Sequence, residues 1–310
     1  MTNKNFWLGK KVLITGDRGF LGSNLSRALT MRGAVVIGMD IKRSKKEDVG
    51  DYDSVEGIIK RNNIRIIYHL AAEAIVANVH KIPRRALITN ICGTWNVLEA
   101  TRVLGNIETV VIASSDKAYG EHRKLPYKED YILLARYPYD VSKSCADALA
   151  RSYYSSYGIP VVVTRCGNIY GLGDSNLCRL IPSAVNCFIN KSTLEVRGYG
   201  KFVRDFVYVD DVVDAYIKIA ENFKGKKLSG HVFNIGNEKP VSILELIKTM
   251  NMIVGNKLQY KLVGKASGEI CKQYLDSSRA KRILGWTPQW TLERGLSKTL
   301  EGAIEYGAYR

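Results

Sequence analysis

The chain has 310 residues, 46% hydrophobic and 25% charged, with 46 Lys+Arg against 30 Asp+Glu for a formal charge of +16. That balance is expected of a soluble globular protein and excludes a disordered one, and the length suits one large α/β domain or two unequal lobes. The cations fall in small groups (Lys42-Arg43, Lys45-Lys46, Arg84-Arg85, Lys226-Lys227) with no aromatic-interleaved stripe, so they read as a solvated surface suited to an anionic small ligand, with no nucleic-acid partner expected.

The opening MTNKNFWLGKK runs within a few residues into a first apolar strand, leaving no room for a leader, so the expected location is the cytoplasm. Val- and Ile-rich runs follow at 12–15, 34–39, 64–70, 108–113 and 160–164, separated by amphipathic stretches of helical length. Strands nearly continuous in apolar residues are covered on both faces, which predicts a Rossmann-type doubly wound parallel sheet of the α/β class. The longest apolar runs, 64–72 and 159–163, are too short to span a bilayer, and no membrane partner is expected. Beyond 166 the pattern loosens into glycine-rich turns and helices near 180–190, 210–222, 242–254 and 291–306, while the strand-like HVFNIG at 231–236 is expected to return to the main sheet. Residues 1–166, with a return segment of about 206–236, form the first domain on this reading; 167–205 and 237–310 form a smaller C-terminal α/β lobe. The six cysteines (Cys92, Cys145, Cys166, Cys178, Cys187, Cys271) are scattered without a CxxC pair or histidines at ligand spacing, predicting reduced thiols and no metal site.

The first strand leads into Gly16, Gly19 and Gly22, spaced G-x-x-G-x-x-G and opening a helix through Phe20 and Leu21. Glycine there lets the backbone approach a pyrophosphate, and the helix N-terminus offers N–H donors. The second strand ends in Asp40, followed by Ile41, at the distance expected of a ribose-binding carboxylate. A carboxylate repels a 2′-phosphate, so NAD is favoured over NADP; Lys42, Arg43 and Ser44 are the residues that would hold that phosphate instead. Asp51 and Tyr52 are candidates for the adenine edge, with helix capping by Asp53 or Ser54 the alternative.

Farther on, Ser115 ends a strand in IASSDKAYG, and Tyr139 and Lys143, four residues apart in YPYDVSKSCADALARSYYSSYG, share one helix face. An ammonium beside a phenol favours the phenolate and lowers Tyr139 toward the range of a general base.

TGDRGFLG (15–22), HLAA (69–72), NICGTWNVLEA (90–100), SSDKAYG (114–120), YDVSK (139–143), RCGNIYG (165–171), RDFVYVDD (204–211) and LDSSRAKRILGWTPQW (275–290) together resemble the extended short-chain dehydrogenase/reductases, the family of nucleotide-sugar epimerases and dehydratases. The resemblance covers nearly the whole chain in the family's order. It implies that Tyr139 takes the proton from the sugar O4 while a nicotinamide accepts hydride from C4. By the same resemblance Ser115 hydrogen-bonds that oxygen and Lys143 binds the nicotinamide ribose. Leu70, Ala71, Ala72, Asn90 and Cys166 fall near the cofactor, and His69 is simply packed in its strand. Asn168 and Arg204 match positions that hold the substrate diphosphate, although Arg204 has Asp205, Asp210 and Asp211 as alternative partners. Relatives commonly form homodimers by pairing the helix after Asn90 with that of Tyr139, and Trp95, Leu98 and Tyr153 are candidates for the exposed faces or for the core.

A 4-epimerase needs only oxidation, rotation of the ketosugar and hydride return, whereas a 4,6-dehydratase also needs a base for the C5 proton and an acid for the departing C6 hydroxyl. Asp116 and Lys117 answer that need. The family's commonest dehydratase pattern has Asp-Glu here; Asp-Lys resembles some cytidine-diphosphate-glucose and UDP-N-acetylglucosamine dehydratases. On this reading Asp116 protonates the leaving hydroxyl and Lys117, neutralised by burial and by nearby Lys143, removes the C5 proton; an exposed Asp116–Lys117 ion pair is the alternative. The expected activity is an NDP-hexose 4,6-dehydratase, its sequence stretches most like cytidine-diphosphate-glucose dehydratases, with a 4-epimerase second and a non-catalytic dinucleotide-binding regulator third. Base and sugar stay open, and Lys265 and Lys272 stand where relatives often carry arginine.

Overall fold

A computed structural model describes residues 6–264 and 270–305. Six parallel strands, β1 (Lys11–Thr15), β2 (Val35–Met39), β3 (Ile66–His69), β4 (Thr109–Ser115), β5 (Val161–Cys166) and β6 (Val232–Ile235), form one sheet in the order β2-β1-β3-β4-β5-β6. The strands alternate between two apolar layers, Val12 and Ile14 on one face, Leu13 on the other. This is the period of two expected when both faces are covered. Helices α1 (Phe20–Thr30) and α5 (Val209–Asn222) cover the first face with Leu25, Leu29, Val212 and Tyr216; α2 (Tyr52–Asn62), α3 (Gly93–Leu104) and α4 (Pro138–Tyr157) cover the second with Val55, Ile59, Val97 and Ala150.

The expected return of 231–236 is realised in β6, which pairs with β5 at the sheet edge. Between and after these strands the chain builds small sheets, Val203–Arg204 with Val241–Ser242 and Lys272–Gln273, and Leu194–Val196 with Tyr260–Leu262. Helices at Leu180–Ile189, Ile243–Ile253 and Leu292–Glu305 agree with the amphipathic stretches. Leu246, Ile247, Leu296 and Leu300 join the same apolar layer as Val12 and Ile14, so the C-terminal helices share a core with the sheet.

The register fixes where the site lies. Thr15 pairs with His69, His69 with Ile112 and Ser115 with Cys166, bringing the ends of β1, β3, β4 and β5 to one edge, where open α/β sheets bind their ligands. Of the two roles left open for Leu98, the structure gives it the core. Leu98 is fully buried; it lies on the stripe Thr94, Val97, Leu98, Thr101 that α3 turns inward, the i, i+3, i+4, i+7 face of a helix on a core. Trp95, on the other side, is half exposed, and its indole N–H donates to the Tyr153 hydroxyl at 2.6 Å. Among the described residues no helix is long and apolar enough to cross a membrane.

Candidate active site

Gly16 has φ +73°, and a Cβ there would lie 2.8 Å from the Ala71 nitrogen. A Cβ on Gly22 would come within 2.1 Å of the Gly16 carbonyl. The turn therefore closes tightly on the start of α1 and requires both glycines. A Cβ on Gly19 would approach only the Gly16 carbonyl, at 3.1 Å, so the outer side of the turn is open. Gly19 is also the N-cap of α1 and no side chain caps that end, leaving a helix N-terminus with Phe20 and Leu21 in its first turn that suits a pyrophosphate. Asp40 ends β2 buried, accepting the N–H groups of Arg18 (3.1 Å) and Lys42 (2.8 Å), and Ile41 beyond it is exposed. Each carboxylate oxygen keeps a lone pair for a ribose hydroxyl. These features fit a dinucleotide. Asp51 caps α2 itself, accepting the Ser54 N–H at 3.2 Å and the Ser54 hydroxyl; Tyr52 follows half-buried, and burial raises its phenol.

At the end of β3, Leu70 and Ala71 donate their N–H groups to the Thr15 hydroxyl, both at 3.2 Å, and half-buried Ala72 follows. Thr15 Oγ1 also meets His69 Nδ1 at 2.8 Å, while His69 Nε2 meets Thr94 Oγ1 at 3.1 Å. Thr94 has one hydroxyl proton, given to the Asn90 carbonyl at 2.7 Å. His69 therefore donates from Nε2, and its Nδ1 accepts from Thr15, which fixes the tautomer. Burial, then the charge of Lys143, holds the ring neutral down to about 3. Asn90 is buried within a π-helical turn, Ile88–Cys92. Its amide accepts the Glu73 N–H at 2.8 Å and donates to the Glu73 carbonyl (3.3 Å) and Ser142 Oγ (2.9 Å). Its hydrogen bonds go to the protein, linking the segment after β3 to α4 between Tyr139 and Lys143. Cys166 is buried with its sulfur 3.9 Å from the Tyr216 hydroxyl, and burial pushes its thiol up to about 12.

Pro138 starts α4, placing Tyr139 in the first turn and Lys143 one turn on. Lys143 is buried, donates to the Ala113 carbonyl at 2.9 Å and is pulled down to about 8 by burial. Tyr139 is pushed up to about 12 by burial. The guanidinium of Arg179 and a hydrogen bond with Ser115 act the other way, while Asp116 and Asp140 add to the rise. The balance differs from that expected of a phenol beside Lys143: burial governs it, and Arg179 leads the groups that oppose it.

Ser115 donates to Asp116 Oδ1 at 3.0 Å and accepts the Lys117 N–H at 3.2 Å. Asp116 is buried, and its Oδ2 has no hydrogen-bond partner among the described residues. Burial raises its carboxyl against the pull of Lys117 and then Arg204. An exposed Asp116–Lys117 pair is therefore excluded, with Lys117 half-buried. Arg204 is buried in the second part of the chain, stacked over the Phe202 ring at 5.4 Å and donating to the Val203 carbonyl at 2.9 Å. Of the carboxylates near it in sequence, Asp205 accepts the Asn237 N–H (2.8 Å) and Asp211 those of Gln289 (2.8 Å) and Trp290 (3.1 Å). Asn168 donates from its backbone and side chain to the Asp205 carbonyl, at 2.8 and 3.4 Å. Lys265 lies outside the described residues, and Lys272 is exposed.

Two residues at this centre escaped the sequence reading. Asp140, next to Tyr139, is buried, and its carboxyl rises to about 6 through burial, with Lys117 opposing and Asp116 reinforcing the rise. A carboxylate in a first helical turn reads as an ordinary complement to the helix dipole. Arg179 ends the turn before Leu180–Ile189 and pairs with Asp174 at 3.0 Å; only the fold brings it to Tyr139.

Residues 12–236 match the model of the NAD dependent epimerase/dehydratase family. A CDP-glucose 4,6-dehydratase of Salmonella typhimurium is 30% identical, the alignment covering 99% of this chain and 92% of that one. The structure of the UDP-glucose 4-epimerase of Thermotoga maritima with UDP-glucose is 29% identical with a TM-score of 0.86, covering 96% and 99% of the two chains. That of the dTDP-glucose 4,6-dehydratase of Bacillus anthracis in complex with NAD is 26% identical with a TM-score of 0.84, covering 96% and 97%.

Proposed function

The chain belongs to the NAD-dependent epimerase/dehydratase family, and from that premise we propose that it is a nucleotide-sugar 4,6-dehydratase. The observation that carries the reading is Asp116: a buried carboxyl beside Ser115, with one oxygen unpartnered among the described residues and its proton affinity raised by burial. That is the direction a general acid needs.

Bound NAD, held by Gly16, Gly19, Phe20, Leu21, Gly22, Asp40 and Ile41 with Asp51, Tyr52, Leu70, Ala71, Ala72, Asn90, Tyr139, Lys143 and Cys166 around it, would supply the hydride acceptor and later donor. Tyr139 takes the proton of the sugar O4 as hydride leaves C4, with Ser115 hydrogen-bonded to the same oxygen and Lys143 positioned by the Ala113 carbonyl. The C4 ketone acidifies the C5 hydrogen. Lys117 takes that proton, the C6–O bond breaks as Asp116 protonates the leaving hydroxyl, and a C5–C6 double bond forms. The proton on Lys117 returns to C5 as C6 takes back the hydride that the bound nicotinamide would hold, giving a 4-keto-6-deoxy sugar and water; the O4 proton on Tyr139 passes through Ser115, hydrogen-bonded to both groups, to Asp116, which resets the pair. Asn168 and Arg204 hold the diphosphate from the lobe formed by 167–205 and 237–310, and the exposed face around Trp95 and Tyr153 supports a homodimer. We place the protein in the cytoplasm.

The UDP-glucose 4-epimerase fold likeness supports a second reading, in which Ser115, Tyr139 and Lys143 alone act and the sugar inverts at C4. A panel of UDP-, dTDP-, GDP- and CDP-hexoses decides between them: the dehydratase gives a product lighter by one water with the alkaline absorbance of a 4-ketosugar. A product of unchanged mass refutes it in favour of the epimerase.

A further inference from the structure

One buried guanidinium is left unused by the chemistry above. Arg165 lies in β5, and its register partner in β4 is Ser114, the residue before Ser115. Its Nε and one terminal nitrogen hold Asp147 Oδ2 and Oδ1 at 2.8 and 3.0 Å, the bidentate geometry of a strong ion pair. Asp147, fully buried, sits on α4 one turn beyond Lys143. The other terminal nitrogen donates to the Tyr119 hydroxyl at 2.9 Å and to the Glu129 carbonyl at 3.1 Å, and the guanidinium stands 4.7 Å from the centre of the Tyr119 ring. Tyr119 closes the 3₁₀ turn Asp116–Tyr119. It gives its own proton to Asn234 Oδ1 of β6 at 2.7 Å, while Asn234 Nδ2 donates to the Tyr127 and Asp276 carbonyls at 2.9 and 3.1 Å. The amide is therefore fixed in orientation, and the phenol with it. Arg165 thus grips the helix of Tyr139 and Lys143 through Asp147, and the turn of Asp116 and Lys117 through Tyr119.

We infer that Arg165 and Tyr119 are positioning residues for the elimination: together they set where Asp116 and Lys117 stand relative to the Tyr139–Lys143 helix. Oxidation at C4 needs only Ser115 and the helix, whereas water loss also needs the turn in register with it, and a displacement of about 1 Å can cost roughly 10²-fold. The inference rests on the dehydratase reading above and deepens it.

The test compares wild type with Tyr119→Phe, which keeps the ring and removes the hydroxyl, on each hexose of the panel above that the wild type dehydrates. In Tyr119→Phe, kcat for water loss should fall about tenfold at unchanged KM. Nicotinamide reduction on rapid mixing should keep its rate, so reduced cofactor accumulates during turnover. Arg165→Lys keeps a charge opposite Asp147 without the fork and should show the same split. Arg165→Ala would leave the buried Asp147 charge unpaired and is avoided for that reason; circular dichroism establishes that each variant is folded, and Tyr119→Phe decides alone if Arg165→Lys is not. Equal loss of oxidation and elimination, loss of neither, or a loss carried by KM overturns the positioning role and leaves the dehydratase reading standing. A wild type that removes water from no hexose of the panel overturns both.

Discussion

Asn90 Nδ2 donates to Ser142 Oγ across 2.9 Å, and Ser142 passes its own proton to the Tyr139 carbonyl at 2.7 Å. With His69 and Thr94 behind it, this makes a hydrogen-bonded line from the end of β1 to the backbone of Tyr139. Asn90 Nδ2 also donates to the Glu73 carbonyl at 3.3 Å, which ties the line to the segment after β3.

Asn90→Ala should therefore cost stability, about 1–3 kcal/mol for the buried groups it leaves unpaired, measured by urea unfolding. Turnover should fall by more than cofactor affinity does, since the amide's partners are protein atoms. A loss of affinity equal to the loss of turnover would put Asn90 against the cofactor instead.

Asp116→Asn should slow water elimination by about 10²–10⁴-fold while sparing C4 oxidation, seen as nicotinamide reduction on mixing with the sugar nucleotide. Because burial raises the Asp116 carboxyl, the protonated acid is lost as pH rises through that raised value. The elimination step should decline along the same limb, and the limb should vanish in the variant.

Lys143 carries its charge below about 8 and loses it above, so the ribose contact and the local positive field weaken as pH rises through that value. The kcat/KM profile should turn down on its basic side near there. Lys143→Arg, which keeps its proton far higher, should move that limb upward in whatever activity remains.

Leu98→Ala and Trp95→Ala should separate cleanly, although the residues are three apart on one helix. The first opens a cavity under α3 and should destabilise by about 2–5 kcal/mol. The second should leave the unfolding midpoint of the subunit nearly unchanged and weaken self-association, read by sedimentation velocity.

The sheet and its helices were legible because burial on both faces leaves unbroken Val and Ile runs, and β6 could be anticipated from HVFNIG alone. Ser115 was legible at the end of an apolar strand, and Tyr139 with Lys143 as a single spacing on one helix face. Asp140 and Arg179 were not: each is an ordinary surface residue by local pattern, one in a helix's first turn and one before a helix, and only tertiary placement makes them neighbours of Tyr139. Leu98 stayed open between interface and core, because an apolar residue in a helix suits both equally until the facing helix is known.

The return of β6 to the edge of β5 bears on how the chain comes off the ribosome. With 65 residues between the end of β5 at Cys166 and the start of β6 at Val232, the nascent first half emerges with β5 as an open edge, its backbone donors and acceptors unpaired and its side chains apolar. An open edge of that kind invites pairing with other chains. Protein stopped short of Val232 should be an aggregating product rather than a smaller working domain, and the last strand of the sheet acts as a lid on assembly in time as well as in space.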